Sequence, residues 1–219
     1  MRETNTQVAI ALLEKLTLAV KEGPHTPELL TRYWQAKYEV YGKRAEQPFI
    51  VPQCDWNEKH LKTFEQGGGK LVYISNELTD PEGLHLLERI FPEFGSFTKR
   101  EGAPITQERS GGGWIGVETS IDAPLRNGSD GVAREVLGFL GLQGQRLSTY
   151  IIASIDSWDL TGDFFDKERT ESRLLDSRCG DRYVYASFPN NERLLHLNFA
   201  SPGDHYPYVG TRSEAAKPE

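Results

Sequence analysis

Residues 156–166 carry the densest group of side chains that could do chemistry. The candidate metal ligands in this segment are Asp156, Asp159, Asp163 and Asp166. Carboxylate oxygens are the ligands that hard cations prefer, so one interpretation is a Ca²⁺ site. The spacing departs from an EF-hand loop, which places acids at alternate positions and glycine at the sixth. Since aspartates are common in turns, we favour the other interpretation, an exposed loop in which they cap turns and a helix start.

Arginines and acidic residues also recur in the C-terminal half, where Arg173 and Arg212 flank a predicted β-hairpin. One interpretation is a buried network that ties the tail to the sheet, with a carboxylate such as that of Asp176 holding an arginine. The other is a cleft that binds an anion or a carboxylate. We favour the network, because a buried arginine needs a carboxylate for its own stability. The candidate catalytic residues of a cleft are Asp156, Arg173, His196 and Arg212.

The two cysteines, Cys54 and Cys179, are candidate thiol nucleophiles. Cys54 precedes Asp55, the predicted cap of a helix, where the helix dipole could lower the thiol pKa. A catalytic cysteine also needs a histidine nearby, and no nucleophile motif surrounds either residue. We therefore expect free structural thiols, although the sequence leaves a disulfide between them open.

Composition limits the class of protein. Hydrophobic residues make up 37% of the 219 residues, which is enough for a sizeable core. The formal net charge of -7 opposes broad binding to nucleic acids or anionic membranes. The apolar residues 8–13 are followed at once by charged residues, unlike a signal peptide, and no apolar run approaches the ~18 residues that span a membrane. We therefore expect a cytoplasmic protein.

Hydrophobic periodicity predicts most of the secondary structure. Apolar residues at helical spacing predict one helix over residues 5–22 and a second that starts after Thr26, with Pro27 in its first turn. Runs of aliphatic and aromatic residues predict three strands, over residues 70–75, 114–121 and 147–155.

An aromatic stripe on the second helix is a possible contact surface. It includes Tyr33, Trp34 and Tyr41. Such a stripe either packs in the core or mediates self-association, and burial trends favour the core.

The C-terminal part carries the clearest β-hairpin signal. Residues 182–188 and 193–199 predict two strands, and the turn-forming residues 189–192 join them. The fold class is therefore predicted as α+β, with an N-terminal helical pair packed on a mixed, mostly antiparallel sheet that ends in this hairpin. The predicted segments are a helical part (1–47), a main domain (48–214) and a disordered tail (215–219).

The closing pattern resembles the end of a known family. Ser172-Arg-Leu-Leu-Asp-Ser-Arg178, the hairpin and the final Val209-Gly-Thr-Arg-Ser213 are similar to the last hairpin, loop and strand of bacterial and phage C-type-lectin-like domains. The resemblance covers about forty residues and implies a module that displays or binds a ligand.

Two functions follow from these observations. The first is a non-catalytic module that binds a small molecule or another protein, which fits the absence of a recognisable catalytic motif. The second is a hydrolase or transferase that uses the Asp/Arg/His cleft, with or without a metal ion. A cavity in which at least three of the candidate side chains meet would support the second function.

Overall fold

The computed structural model describes residues 2–94, 99–100, 103–204 and 206–218. Six α-helices lie among them: α1 (Arg2–Glu22), α2 (Pro27–Ala45), α3 (Glu58–Gln66), α4 (Pro81–Ile90), α5 (Asp130–Phe139) and α6 (Leu147–Thr161). Among these residues, no helix is both long and apolar enough to span a membrane.

The first two helices form the predicted pair. The Thr26 side chain accepts a hydrogen bond from the amide of Leu29. Pro27 occupies the first turn of α2, where a backbone N–H has no acceptor within the helix, so the N–H that proline lacks is not needed. The short connection folds α2 back against α1. Local capping signals therefore predicted this part of the chain correctly.

The strands lie between the later helices and after α6. They are β1 (Gly69–Ile74), β2 (Lys99–Arg100), β3 (Ala103–Pro104), β4 (Gln107–Glu108), β5 (Gly113–Glu118), β6 (Gln143–Gly144), β7 (Glu171–Cys179), β8 (Arg182–Ser187), β9 (His196–Ala200), β10 (Val209–Thr211) and β11 (Ser213–Ala215). Among the described residues, β2 and β3 pair with each other and with no further strand.

The remaining strands form two sheets. The first has the order β1-β5-β11-β6, and each neighbouring pair is antiparallel. The second has the order β10-β7-β8-β9, with β4 also paired to β7; only β10 and β7 run parallel. The predicted hairpin is the β8–β9 pair, with Ser187 opposite His196. The α+β prediction is confirmed, with strands divided between two sheets.

The predicted strand over residues 147–155 is wrong, because these residues belong to α6. Every residue from Leu147 to Ser157 is buried. A helix that is enclosed on all sides has no polar face, so its sequence lacks the helical period. Its Ile and Thr residues then favour a strand locally, and the surrounding structure overrides that preference.

The aromatic stripe of α2 lies in the core. Tyr33, Trp34 and Tyr41 are 1%, 0% and 5% exposed, and they share one hydrophobic cluster with residues of α4, α6 and β1. The core interpretation is confirmed, and burial corrects the expectation that these rings could mediate self-association. The predicted tail was to begin at residue 215, but Ala215 belongs to β11. Glu219 lies outside the described residues.

Candidate functional site

A cavity of about 820 Å³ opens beside the first sheet. The connection between α1 and α2, the end of α3, the start of β1 and the last turns of α6 surround it. Its apolar wall includes Val20, Ile121 and Leu160. Its polar wall includes His25, Glu65 and Lys70. A mostly apolar cavity with a few polar groups is the usual form of a small-molecule site.

Lys70 connects this cavity to the interior. Its Nζ donates hydrogen bonds to the carbonyl oxygen of Ala153 at 3.0 Å and to Oδ2 of Asp156 at 3.1 Å. The same Nζ lies 5.4 Å from the centre of the Phe165 ring. The side chain is 14% exposed. Lys70 therefore lies on the cavity wall with its amine held against α6.

Asp156 lies behind Lys70 at the centre of a buried cluster. Its Oδ1 accepts hydrogen bonds from the hydroxyl of Tyr33 at 2.7 Å and from Nζ of Lys37 at 2.6 Å. Tyr33 and Lys37 are one helical turn apart on α2, which puts both on the face that meets α6. Lys37 also lies 3.0 Å from Oδ2 of Asp159. One buried carboxylate thus receives two lysines and a tyrosine.

The two lysines of this cluster differ in pKa. Burial lowers the pKa of Lys37, but Asp156, Tyr33, Tyr41 and Asp159 together outweigh burial and raise that pKa well above its usual value. Burial dominates for Lys70 and lowers its pKa, against the opposing effect of the same carboxylate. Burial would raise the pKa of Asp156, whereas Lys37 and Lys70 together hold it below its usual range. Lys70 is therefore the lysine that loses its proton more readily.

A histidine–carboxylate pair lies on the same cavity wall. Nδ1 of His25 contacts Oε1 of Glu65, and its Nε2 lies 2.7 Å from the carbonyl oxygen of Val20. Both partners are oxygen acceptors, so a ring protonated on both nitrogens donates to each of them. The pair holds the α1–α2 connection against α3 and gives the cavity a polar rim.

The four predicted catalytic residues lie in separate environments. Asp156 is in the lysine cluster, and His196 is exposed on β9. Arg173 donates to the carbonyl oxygens of Gly128 at 2.8 Å and Asp204 at 3.1 Å. None of the four lines the cavity described above. The predicted Asp/Arg/His cleft is therefore not supported by this arrangement.

Arg212 lies in a buried network, which was the favoured interpretation of the sequence, but its carboxylate partners are not the suggested Asp176. Its guanidinium is fully buried, and it contacts Asp166 and Glu118 and donates to the carbonyl oxygen of Ile121 at 2.7 Å. The suggested partner Asp176 instead holds Arg109, at 2.8 Å. A buried arginine with its donors occupied in this way ties the C-terminal strands to the rest of the fold.

The four aspartates proposed as metal ligands do not form one acidic loop. The carboxylate of Asp156 contacts Lys37 and Lys70, and that of Asp159 contacts Lys37. Asp163 binds Lys167 at 2.7 Å, and buried Asp166 binds Arg212. Across the described parts of the chain, no group of three or more His, Cys, Asp or Glu side chains could hold a metal ion. The Ca²⁺ prediction gains no support from this geometry.

Both cysteines are buried with free thiols. The predicted helix cap at Asp55 is wrong, because α3 begins at Glu58 and its cap is Asn57. The alternative of a Cys54 thiol activated at this helix start therefore has no support. Burial raises the pKa of the Cys54 thiol to about 11. A thiol in this state is a poor nucleophile.

Comparisons with protein-family models, with curated proteins and with solved structures gave no match. The C-type-lectin resemblance of the C-terminal part therefore stays a prediction. The function has to be argued from the chemistry of the cavity.

Sequence reasoning missed the roles of Lys37, Lys70 and His25. A weak signal was present for Lys37, since a lysine inside an aromatic helical stripe is expected to be buried and paired with a carboxylate. Lys70 is the second residue of β1, at a position that also suits an exposed lysine. Nothing local to His25 indicated a partner in α3.

Proposed function

We propose that the protein is a ligand-binding module whose cavity beside β1 holds a small amphipathic molecule with one acidic group. The observation that carries the proposal is the cavity itself, which combines an apolar wall with the lysines Lys21 and Lys70. Its volume of about 820 Å³ falls within the range of small-molecule sites.

The charges on the wall favour an acidic ligand. Glu65 is paired with His25, and Asp163 is paired with Lys167 at 2.7 Å. Lys21 lies exposed in the last turn of α1, at the edge of the cavity. An anionic group near Lys21 would gain a favourable interaction, while the apolar part of the ligand covers Val20, Ile121 and Leu160.

The enzyme alternative has less support. A hydrolase or transferase built from Asp156, Arg173, His196 and Arg212 requires these side chains to meet around a substrate. The donors of the two arginines are instead directed at protein carbonyls and carboxylates. Binding is therefore the function that we propose.

Fluorescence of anilinonaphthalene sulfonate, an amphipathic anion, tests the proposal. We expect the wild type to bind this dye and the cavity-filling variant Leu160→Trp to lose most of that binding. Lys21→Ala should weaken binding about twofold to fivefold, as for a partly exposed ion pair. The matched controls are Leu140→Trp and Lys62→Ala, which alter exposed positions outside the cavity. Dye binding that Leu160→Trp leaves unchanged would reject the cavity as the binding site.

A further inference from the structure

The environment of Lys70 suits a chemical role that simple binding does not require. Two lysines share the carboxylate of Asp156, and Lys37 already lies against Oδ1 of that group and near Asp159. Lys37 is 1% exposed, so no ligand reaches it. Lys70 contacts the second oxygen, and of these two lysines it is the one that lines the cavity. The ion pair between Lys37 and Asp156 therefore remains when Lys70 loses its proton.

A neutral amine at Lys70 can make both of its observed hydrogen bonds. Such an amine has two N–H donors and one lone pair, whereas an ammonium group has three donors. The two acceptors are the carbonyl oxygen of Ala153 and Oδ2 of Asp156. When both N–H groups are so used, the lone pair is left for a partner outside the cluster. A lysine that is desolvated beside another cation is an activated nucleophile.

We propose that Lys70 captures the carbonyl group of a small aldehyde or ketone acid as an imine. This inference rests on the proposed function, since the carbonyl compound has to enter the same cavity. The Nζ lone pair attacks the carbonyl carbon, the C=O π pair moves to oxygen, and a proton passes from nitrogen to oxygen. Loss of one water molecule from this carbinolamine then leaves the C=N bond. The net reaction is amine plus carbonyl to imine plus water.

The two lysines of the cavity set the orientation of such a ligand. Its carbonyl group meets Lys70, and its acidic group meets Lys21, because both lysines line the same wall. The apolar surface around Leu160 covers the part in between. Lys21 is exposed and lies outside the Asp156 cluster, so it serves as the lysine of the same cavity with which the labelling of Lys70 is compared.

Reductive trapping tests the inference. The intact protein is treated at about pH 7 with para-formylbenzoate and cyanoborohydride, which delivers hydride to the imine carbon and leaves a stable secondary amine. Peptide mass spectrometry then compares modification at Lys70 and Lys21. We expect clearly more modification at Lys70 than at Lys21, because burial lowers the pKa of Lys70 and leaves more of its amine neutral, and because the cavity brings the aldehyde to it. Lys70→Arg should remove this adduct, and Leu160→Trp should suppress it in a chain that retains Lys70.

The outcomes separate this inference from the proposed function. Equal or weaker labelling of Lys70 than of Lys21 in the wild type overturns the inference, whether or not the variants fold. The proposed function survives that result if para-(hydroxymethyl)benzoate, which cannot form an imine, still displaces the dye. Strong labelling of Lys70 that persists in Leu160→Trp also counts against capture in the cavity. Absence of both dye binding and labelling rejects both proposals.

Discussion

Lys37 and Lys70 contact opposite oxygens of the Asp156 carboxylate, at 2.6 Å from Oδ1 and 3.1 Å from Oδ2. The carboxylate therefore screens two positive charges that α2 and β1 bring into one small volume. This relationship joins the N-terminal helices to the cavity, because the same group that anchors α2 also holds the amine on the cavity wall.

Replacing Asp156 should destabilise the protein strongly. Asp156→Asn leaves two lysines facing an uncharged amide in the interior, and loss of one partner from a buried ion pair costs about 3–5 kcal/mol. Urea denaturation measures the free energy of unfolding. Asp159→Asn is the control, because that carboxylate is 37% exposed and its loss should cost less than about 1 kcal/mol. Similar losses for the two variants would contradict the central role of Asp156.

Glu108 should make stability depend on pH. Burial raises the pKa of its carboxyl from 4.5 to about 7, so the folded state binds more protons than the unfolded chain between these values. Stability from this group is therefore present below pH 4.5 and is lost as the pH rises to about 7. Glu108→Gln has no carboxyl group that titrates, so it does not lose this stability. Between pH 4.5 and about 7, its free energy of unfolding should rise relative to that of the wild type by about 1–3 kcal/mol.

Denaturant titrations of both proteins at several pH values measure this difference. Parallel profiles for wild type and Glu108→Gln would show that the carboxyl titrates alike in the folded and unfolded states. The backbone amide of Ser148 and the hydroxyl of Ser177 now donate to the two different carboxyl oxygens. The glutamine amide keeps one acceptor oxygen for the Ser148 amide, and its NH2 group replaces the other oxygen beside the Ser177 hydroxyl. A constant offset between the profiles therefore measures changed hydrogen bonding rather than titration.

Arg212 should contribute more to stability than an exposed arginine. Arg212→Met leaves the buried carboxylate of Asp166 without its cation, and we expect a loss of about 3–5 kcal/mol in the free energy of unfolding. The matched control is Arg134→Met, since the side chain of Arg134 is 43% exposed and lies 3.4 Å from Asp176. The control should lose less than about 1 kcal/mol. Equal losses in chemical denaturation would mean that the buried contacts of Arg212 add no more stability than those of an exposed arginine.

Phe139 should affect solubility rather than folding. Its side chain is 91% exposed near the end of α5, close to the exposed Val132 and Leu140. Phe139→Glu should change stability by less than about 0.5 kcal/mol and reduce concentration-dependent light scattering, because exposed apolar patches promote association. Leu137→Glu, at a position 2% exposed on the same helix, should instead unfold the protein. Unchanged scattering by Phe139→Glu would exclude this patch as a cause of association.

The parts of the fold that the sequence predicted depend on neighbouring residues. The helix start at Thr26 and the β8–β9 hairpin each depend on residues within a few positions of one another in the chain. The helix α6 was missed because its burial comes from the rest of the molecule. Pattern reasoning detects an element when one face is apolar and the other is polar.

The candidate site depends on pairs that are far apart in sequence. Lys37 lies 119 positions from Asp156, and Lys70 lies 86 positions from it. Without the fold, Asp156 is one of several aspartates in a predicted loop, for which capping a turn is the favoured interpretation and a metal site the alternative. Its true neighbours are cations, which only the packing of α2 and β1 against α6 brings close.

Only Arg212 separates β10 from β11, although these two strands belong to different sheets. The chain therefore leaves one sheet and enters the other within a single residue, and that residue is fixed in the interior. Opening of either sheet at this point pulls on the backbone of its neighbour. We infer that local opening cannot stay confined to one sheet, so amide protons of β10 and β11 exchange with solvent as one cooperative unit.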